Sequence, residues 1–261
     1  MSALEGKIAL ITGASAGIGA AIARSFAAAG ASLILGSRRL DVLEETAGDI
    51  RKQFDTTIHA MSLDVRSRDS VTRFFDSIPY DQQDIDILVN NAGLARSLDP
   101  VYAMQPSDVD DMVDTNVKGL LNVTSHVVPI MLRRAEGHII NIGSTAGHDV
   151  YKGGVAYCAT KHAVDVITRG LKIELHGTPI RVSTVDPGMV ETDFSLVRFH
   201  GDAERAATVY ADTRPLTAED VAEAVLFCVT RPSRVNIAEI ILTSVDQSSV
   251  TLVHRTPTKD S

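Results

Sequence analysis

The stretch TGASAGIG, residues 12–19, decides how this chain of 261 residues is read. It joins an apolar run, KIALIT (7–12), to an alanine-rich pattern, GIGAAIARSFAAAG (17–30), that closes on Gly30. The run reads as a buried strand and the pattern as a helix. Gly13, Gly17 and Gly19 follow a G-x-x-x-G-x-G spacing. Glycine lets the backbone turn tightly and approach a ligand with no Cβ in the way. The helix start behind the turn offers free N–H groups and a partial positive charge, which suits a pyrophosphate. A bare strand–helix joint would also accept such a turn, and no Gly-Lys-Ser/Thr follows to make it a Walker loop.

The alternation continues outward. Strands are expected at 32–36 (SLILG), weakly near 57–61, at 85–93 running into an Asn/Gly loop, and at 137–144, 180–188 and 238–243. Helices are expected at about 39–53, 68–78, 107–134, 154–176 and 216–232, the last opened by a Thr217 cap. The apolar runs do not alternate in polarity, as strands buried on both faces should not. The expected fold is therefore α/β: a single-domain, Rossmann-like, doubly wound parallel sheet of about seven strands with helices on both faces. No Pro/Gly/Ser-rich linker divides the chain, so residues 1–261 are taken as one dinucleotide-binding and catalytic domain. Within it, 190–215 is expected to form a substrate lid and 244–261 a C-terminal tail.

A net charge of −8 argues against nucleic acid or an anionic membrane as partner. No run approaches a membrane span, and MSALEGKIALITG lacks the regions of a signal peptide. With two cysteines, Cys158 and Cys228, outside any CxxC spacing, the expected setting is reducing and cytoplasmic. The eight histidines show no ligand spacing, so no metal is expected.

The second strand ends GSRR (36–39). An acidic residue there would grip ribose hydroxyls; Ser37, Arg38 and Arg39 suit a 2′-phosphate instead, and the expected cofactor is NADP rather than NAD. In LDV (63–65) Asp64 is placed to accept a bond from the adenine amino group, and NNAG (90–93) to pass under the adenosine ribose.

GSTAGHDVYKGGVAYCATK, residues 143–161, places Tyr157 and Lys161 four apart on one helix face, with Ser144 at the end of a strand. A free tyrosine is a poor base near neutrality, and a nearby ammonium favours its phenolate. Ser144 is expected to hydrogen-bond the substrate oxygen, and Tyr157 to exchange a proton with it. Asn116, in DTNVKG, lies mid-helix where asparagine has poor propensity. Holding a water on a proton path to Lys161 would explain it, and so would a plain core hydrogen bond.

TGASAGIG, NNAG, Asn116, Ser144, Tyr157-x-x-x-Lys161 and DPG (186–188) occur in one order, and the chain resembles the short-chain dehydrogenase/reductase family from Lys7 to about Arg255. The resemblance implies a catalytic set of Asn116, Ser144, Tyr157 and Lys161. It also implies cofactor contacts from Gly13, Ser15, Gly17, Ile18, Gly19, Ser37, Arg38, Arg39, Asp64, Val65, Asn91, Ala92 and Gly93. Tyr157 and Lys161 join these, with Pro187, Gly188, Val190 and Thr192 at the nicotinamide. NIGSTAG, PGMVETDFSLVRFHGD, PLTAEDVAEAV and RVNIAEI are similar, more narrowly, to the NADP-dependent 3-hydroxy acid (serine, allo-threonine) dehydrogenases. Two departures stand out: Arg96 after NNAGLA, where that group tends to be apolar, and TSVDQ (243–247) in place of a Pro-Thr-x-Gln type segment.

The expected reaction is oxidation of a small 3-hydroxy acid at its hydroxyl carbon, or the reverse. A carboxylate substrate needs a cation, and Arg198 in the lid is the first candidate, Arg96 the second, with His148 as a further pocket residue. A broad NADPH carbonyl reductase and a catalytically silent NADP sensor are the competing readings. The resemblance also implies a homo-oligomer, dimer or tetramer, with His254 and Arg255 at subunit contacts.

Overall fold

Seven strands form one parallel sheet in the computed structural model, which describes residues 2–256. They are β1 (Ile8–Thr12), β2 (Ser32–Ser37), β3 (Ile58–Ser62), β4 (Ile87–Asn90), β5 (His138–Ile142), β6 (Arg181–Pro187) and β7 (Glu239–Leu242). Their spatial order is β3-β2-β1-β4-β5-β6-β7. From β1 the chain winds outward to β3, then returns to the other side of β1 as β4. The register sets Ala9 beside Ile87 on one flank of β1 and beside Leu33 on the other. The direction of winding reverses between β1 and β4, which opens a crevice beyond their carboxyl ends.

Neighbouring apolar residues on one strand go to opposite faces, which explains the unbroken apolar runs. Ile11, Leu33 and Leu35 pack under α1 (Gly17–Ala28), α2 (Leu40–Gln53) and α9 (Ala218–Val229), with Phe26, Leu43, Val221 and Val225. Leu10, Ile34 and Leu88 pack on the other side, against Phe74, Val123, Val127 and Met131. Those last four come from α3 (Arg68–Asp76) and α5 (Leu120–Arg134). The C-terminal end of α6 (Val155–Glu174) adds Leu171 to that face.

The helix expected over 107–134 is one helical run of three parts. It opens as α4 (Pro106–Val113), passes through a π-helical stretch at Asp114–Gly119 and continues as α5. Pro106 supplies the favourable first-turn proline, whereas Pro129 lies inside α5 without ending it. Thr217 caps α9 in a reciprocal capping box with Asp220. The segment expected as a lid carries two short helices, α7 (Phe194–Arg198) and α8 (Ala203–Tyr210). The tail is described to Thr256, and residues 257–261 lie outside the described residues. Among the described residues no helix is long and apolar enough to cross a membrane.

Candidate active site

A cleft of about 1240 Å³ opens at the carboxyl ends of the strands. Its floor is the turn between β1 and α1. Gly13 and Gly17 both have left-handed backbone, with φ of +67° and +53°. A Cβ on Gly19 would sit 2.4 Å from the Gly13 carbonyl oxygen and 2.5 Å from Asn91 Nδ2, so only glycine fits there. Asn91 Nδ2 donates to the Thr12 and Gly13 carbonyls at 2.9 and 3.1 Å. Thr12 Oγ1 in return accepts from the Asn91 and Ala92 amides. The NNAG segment thus stitches β4 to β1. The first turn of α1 has no side-chain cap and no acid, so its amides and dipole are left for an anion.

At one end of the cleft Ser37 Oγ donates to Ser15 Oγ at 2.9 Å, and Arg39 reaches the same oxygen at 3.2 Å. Arg38 is exposed beside them. Asp64 also lines this end, but both its oxygens are gripped by Arg66 at 2.8 to 3.2 Å, which holds its carboxyl below the usual range.

At the other end Ser144, Tyr157 and Lys161 meet. Ser144 accepts the Ala146 amide and starts a short 3-10 turn, Thr145–Gly147. Lys161 Nζ donates to the Ile142 carbonyl at 2.8 Å and lies 5.9 Å from the Tyr157 ring centre. Burial brings Lys161 down to about 8, opposed by the charge of Asp186. Burial pushes the Tyr157 phenol up. The charge that most opposes this is Arg198, with a smaller pull from Ser144. The sequence pointed to Lys161 for that pull. Here the ammonium leans on a backbone carbonyl and the guanidinium crosses the ring.

Asn116 is 2% exposed, in the π-helical stretch, and does not line the cleft. Its Oδ1 accepts the Leu94 amide at 2.9 Å; its Nδ2 donates to the Leu94 carbonyl at 2.8 Å and to Thr160 Oγ1 at 3.0 Å. Thr160 Oγ1 in turn donates a hydrogen bond to the Tyr157 carbonyl. The side chain therefore makes core hydrogen bonds that tie the helix bearing Tyr157 to the loop after β4.

Arg198 projects from the end of α7 over this end. Its guanidinium lies 5.4 Å from the Tyr157 ring centre and 5.2 Å from that of Phe194, and one nitrogen donates to Tyr151 Oη at 3.3 Å. Its Nε is buried with no partner. Arg96 also lines the cleft, but each of its three nitrogens already has an acceptor, on Asp111 or Val197.

His148 does not line the cleft. It turns outward, with Nε2 2.7 Å from Asp186 Oδ2 and 3.5 Å from Glu239 Oε1. These three residues bring their ligand-type atoms within 4.8 Å of one another, a grouping invisible in the spacing of the histidines. The short His148–Asp186 contact makes the group a hydrogen-bonded pair with a flanking carboxyl. Asp186 is buried, bonds Thr184 Oγ1 and presses on Gly143, where a Cβ would lie 1.8 Å from Asp186 Oδ1.

Sequence reasoning missed several residues. Tyr151 and Phe194 wall the Tyr157 end, and Gln247 holds the Met189 amide at 2.7 Å. Arg255 bonds the Val209 and Ala211 carbonyls, so the tail reaches back to the C-terminal end of α8. An aromatic flanking a Tyr-x-x-x-Lys motif was the one available signal for Tyr151; the others depend on contacts across 15 residues or more.

Of the remaining expected cofactor residues, Ile18, Val65, Gly93, Pro187, Gly188, Val190 and Thr192 all line the cleft, while Gly19 sits behind it. A dinucleotide fits. The open helix start offers amides to a pyrophosphate, and Ser15, Ser37 and the two arginines gather donors at one end. At the other end a Cβ on Gly93 would sit 3.8 Å from Lys161 Nζ.

Residues 7–201 match the short chain dehydrogenase family. The chain is 43% identical over 256 residues to the NADP-dependent 3-hydroxy acid dehydrogenase of Schizosaccharomyces pombe, covering 98% of this chain and 99% of that protein. It is 44% identical over 231 residues to sulfoacetaldehyde reductase 2 of Chromohalobacter salexigens, covering 88% of this chain and 91% of that one. The closed form of a serine dehydrogenase complexed with NADP+ superposes with a TM-score of 0.90 at 43% identity, covering 95% of this chain and all of that one.

Proposed function

The chain belongs to the short chain dehydrogenase family, and on that premise we propose that it interconverts a small 3-hydroxy acid and its carbonyl form with NADP as cofactor. When bound, the nicotinamide accepts or supplies the hydride. Ser15, Ser37, Arg38 and Arg39 would hold the 2′-phosphate, the amides at the start of α1 the pyrophosphate, and Lys161 the ribose beside the reacting ring.

Tyr157 exchanges the proton with the substrate oxygen, and Ser144 donates a hydrogen bond to that oxygen as its charge changes. Burial holds the phenol protonated in this structure, the form that donates to a carbonyl. The Arg198 guanidinium over the ring, with a smaller pull from the Ser144 hydrogen bond, lowers the cost of removing that proton in the opposite direction. Asn116 holds the Tyr157 helix against the β4 loop. The segment 190–215 serves as the lid of a single catalytic domain.

One observation carries the substrate class: the half-buried Arg198 side chain crosses Tyr157 with a buried Nε that has no partner. A buried cationic donor without an acceptor is costly, and a carboxylate one carbon from the reacting centre would satisfy it. The names of the relatives, a 3-hydroxy acid dehydrogenase and a sulfoacetaldehyde reductase, describe substrates in which one carbon separates an anionic group from the reacting carbon. Arg198→Ala should raise KM for 3-hydroxypropionate about thirtyfold while changing kcat/KM for a neutral alcohol of similar size less than about threefold. Equal effects on both would return the site to a broad carbonyl reductase.

Exposed apolar side chains at Leu121 and Leu132 on α5 and at Val155, Val166 and Ile173 on α6 support self-association along these helices. Both cysteines are buried and free, which suits the cytoplasm.

A further inference from the structure

The guanidinium that the proposed function depends on sits on a weak element. Helix α7 is five residues long, and α8 behind it buries no side chain. Such a segment opens easily, so something must fix where Arg198 points. Among the last carbonyls of α7, Leu196 and Val197 accept the Gly201 and His200 amides at 2.9 and 3.3 Å, so each keeps room for one further donor, and the Arg198 carbonyl has no donor from the turn that follows. The loop after β4 takes two of them: Arg96 donates to the Val197 carbonyl at 2.7 Å, and the Ser97 amide to the Arg198 carbonyl at 2.9 Å. Ser97 adopts a left-handed φ of +53° to aim that amide, and its hydroxyl is bonded to Asp99. Two residues beyond α7, His200 meets the buried Asp108 at 3.2 Å.

Arg96 is itself anchored. Its side chain is only 18% exposed, and its Nε and second terminal nitrogen donate to Asp111 Oδ2 on α4 at 3.3 and 3.1 Å. Asp111 Oδ1 accepts from Arg66 at 3.0 Å, and Arg66 in turn grips Asp64 at the end of β3. Charges of alternating sign therefore run from the rim of the sheet to the carbonyl beside Arg198. Each half-buried member satisfies its neighbour, so removing one leaves another unpaired.

We propose that Arg96 is the positioning residue for Arg198, holding the lid turn so that the Arg198 guanidinium stays over Tyr157 to receive a carboxylate. This rests on the reading of Arg198 as the carboxylate anchor. Arg96 touches no substrate in this scheme; it acts through the Val197 carbonyl.

Initial rates of the full-length protein with saturating NADP+ test it, on 3-hydroxypropionate and on a neutral alcohol of the same size. Arg96→Ala should raise KM for the acid about tenfold, leave kcat within about threefold, and leave the neutral alcohol unchanged. Arg96→Lys, which keeps one donor for the carbonyl, should recover part of the loss. Asp111→Asn, which loosens Arg96 without removing it, should give the same selectivity at about threefold, and it serves if Arg96→Ala does not fold. Arg96→Ala added to Arg198→Ala should cost nothing further, because both act on one interaction. Equal losses on acid and alcohol, or full additivity with Arg198→Ala, would overturn the inference. If Arg198→Ala itself shows no preference between the two substrates, the anchor reading fails first. If Arg198→Ala is selective and Arg96→Ala is not, only the positioning role fails.

Discussion

The two ends of the cleft are built differently. At the cofactor end, strand ends and backbone carry the load. Asn91, Thr12, Gly13 and Gly19 interlock so closely that one added Cβ would overlap a carbonyl oxygen. At the substrate end, the same cleft is closed by α7, α8 and the tail, which are held mainly by side chains reaching across to backbone groups. A group common to every turnover can be met by fixed geometry. A substrate that must enter and leave needs a cover whose bonds are few and separable. The practical difference is that damage to the first end should cost cofactor binding for every substrate, whereas damage to the second should discriminate among substrates.

Three changes test that division. The largest effect is expected at the phosphate rim. Replacing both Arg38 and Arg39 by alanine should lower the preference for NADP+ over NAD+ about a hundredfold, since each charge-assisted bond is worth roughly 1.5 kcal/mol or more. Fluorescence titration with NADPH and NADH reads this directly, and an unchanged preference would remove the 2′-phosphate assignment. The ratio of acid to neutral substrate turnover should not move.

Gly19→Ala comes next. Its Cβ would lie 2.4 Å from the Gly13 carbonyl oxygen, so the turn must shift. The expected result is about a thirtyfold rise in the NADP+ dissociation constant and a stability loss of about 2 kcal/mol by denaturant titration. Normal cofactor affinity would show that the interlock is not what shapes the cradle.

The smallest effect concerns pH. Lys161 is held near 8 by burial, and the charge of Asp186 is the influence that keeps it from falling further. Removing that charge lowers the lysine's value, so the protonated form is lost at lower pH. In Asp186→Asn the alkaline limb of kcat/KM should therefore move toward acid by about one unit. A limb that stays in place, with only a lower melting temperature, would make Asp186 a packing residue.

Much of the fold could be read from the chain because buried parallel strands leave unbroken apolar runs and the helices between them carry clear caps, as at Thr217 and Gly30. The other strands were plain; β3, at a sheet edge and half exposed, gave a weaker run. The single helix expected over 107–134 hides a π-helical stretch at Asn116, because periodicity alone does not report one extra residue in a turn. α7 and α8 left no periodic trace, being short and largely unburied. Ser144, Tyr157 and Lys161 were visible as a motif. Arg198 followed from the need of a carboxylate for a cation. Arg96 looked like a second such cation, and only the fold shows its nitrogens committed to Asp111, fifteen residues on, and to Val197 across the cleft. His148 looked like a pocket residue from its place between Ser144 and Tyr157, yet Asp186 draws it outward.

The account stands or falls on whether this site prefers an anionic substrate. The direct measurement is the initial rate of NADPH formation by the purified wild-type protein, monitored by nicotinamide absorbance. Serine, allo-threonine and 3-hydroxypropionate would be compared with a neutral alcohol of matching size. The account predicts a kcat/KM for the best acid at least about a hundredfold above that for the alcohol, the scale of one buried charge-assisted pair. Comparable values for the two would contradict it and leave Arg198 without a substrate carboxylate to bind.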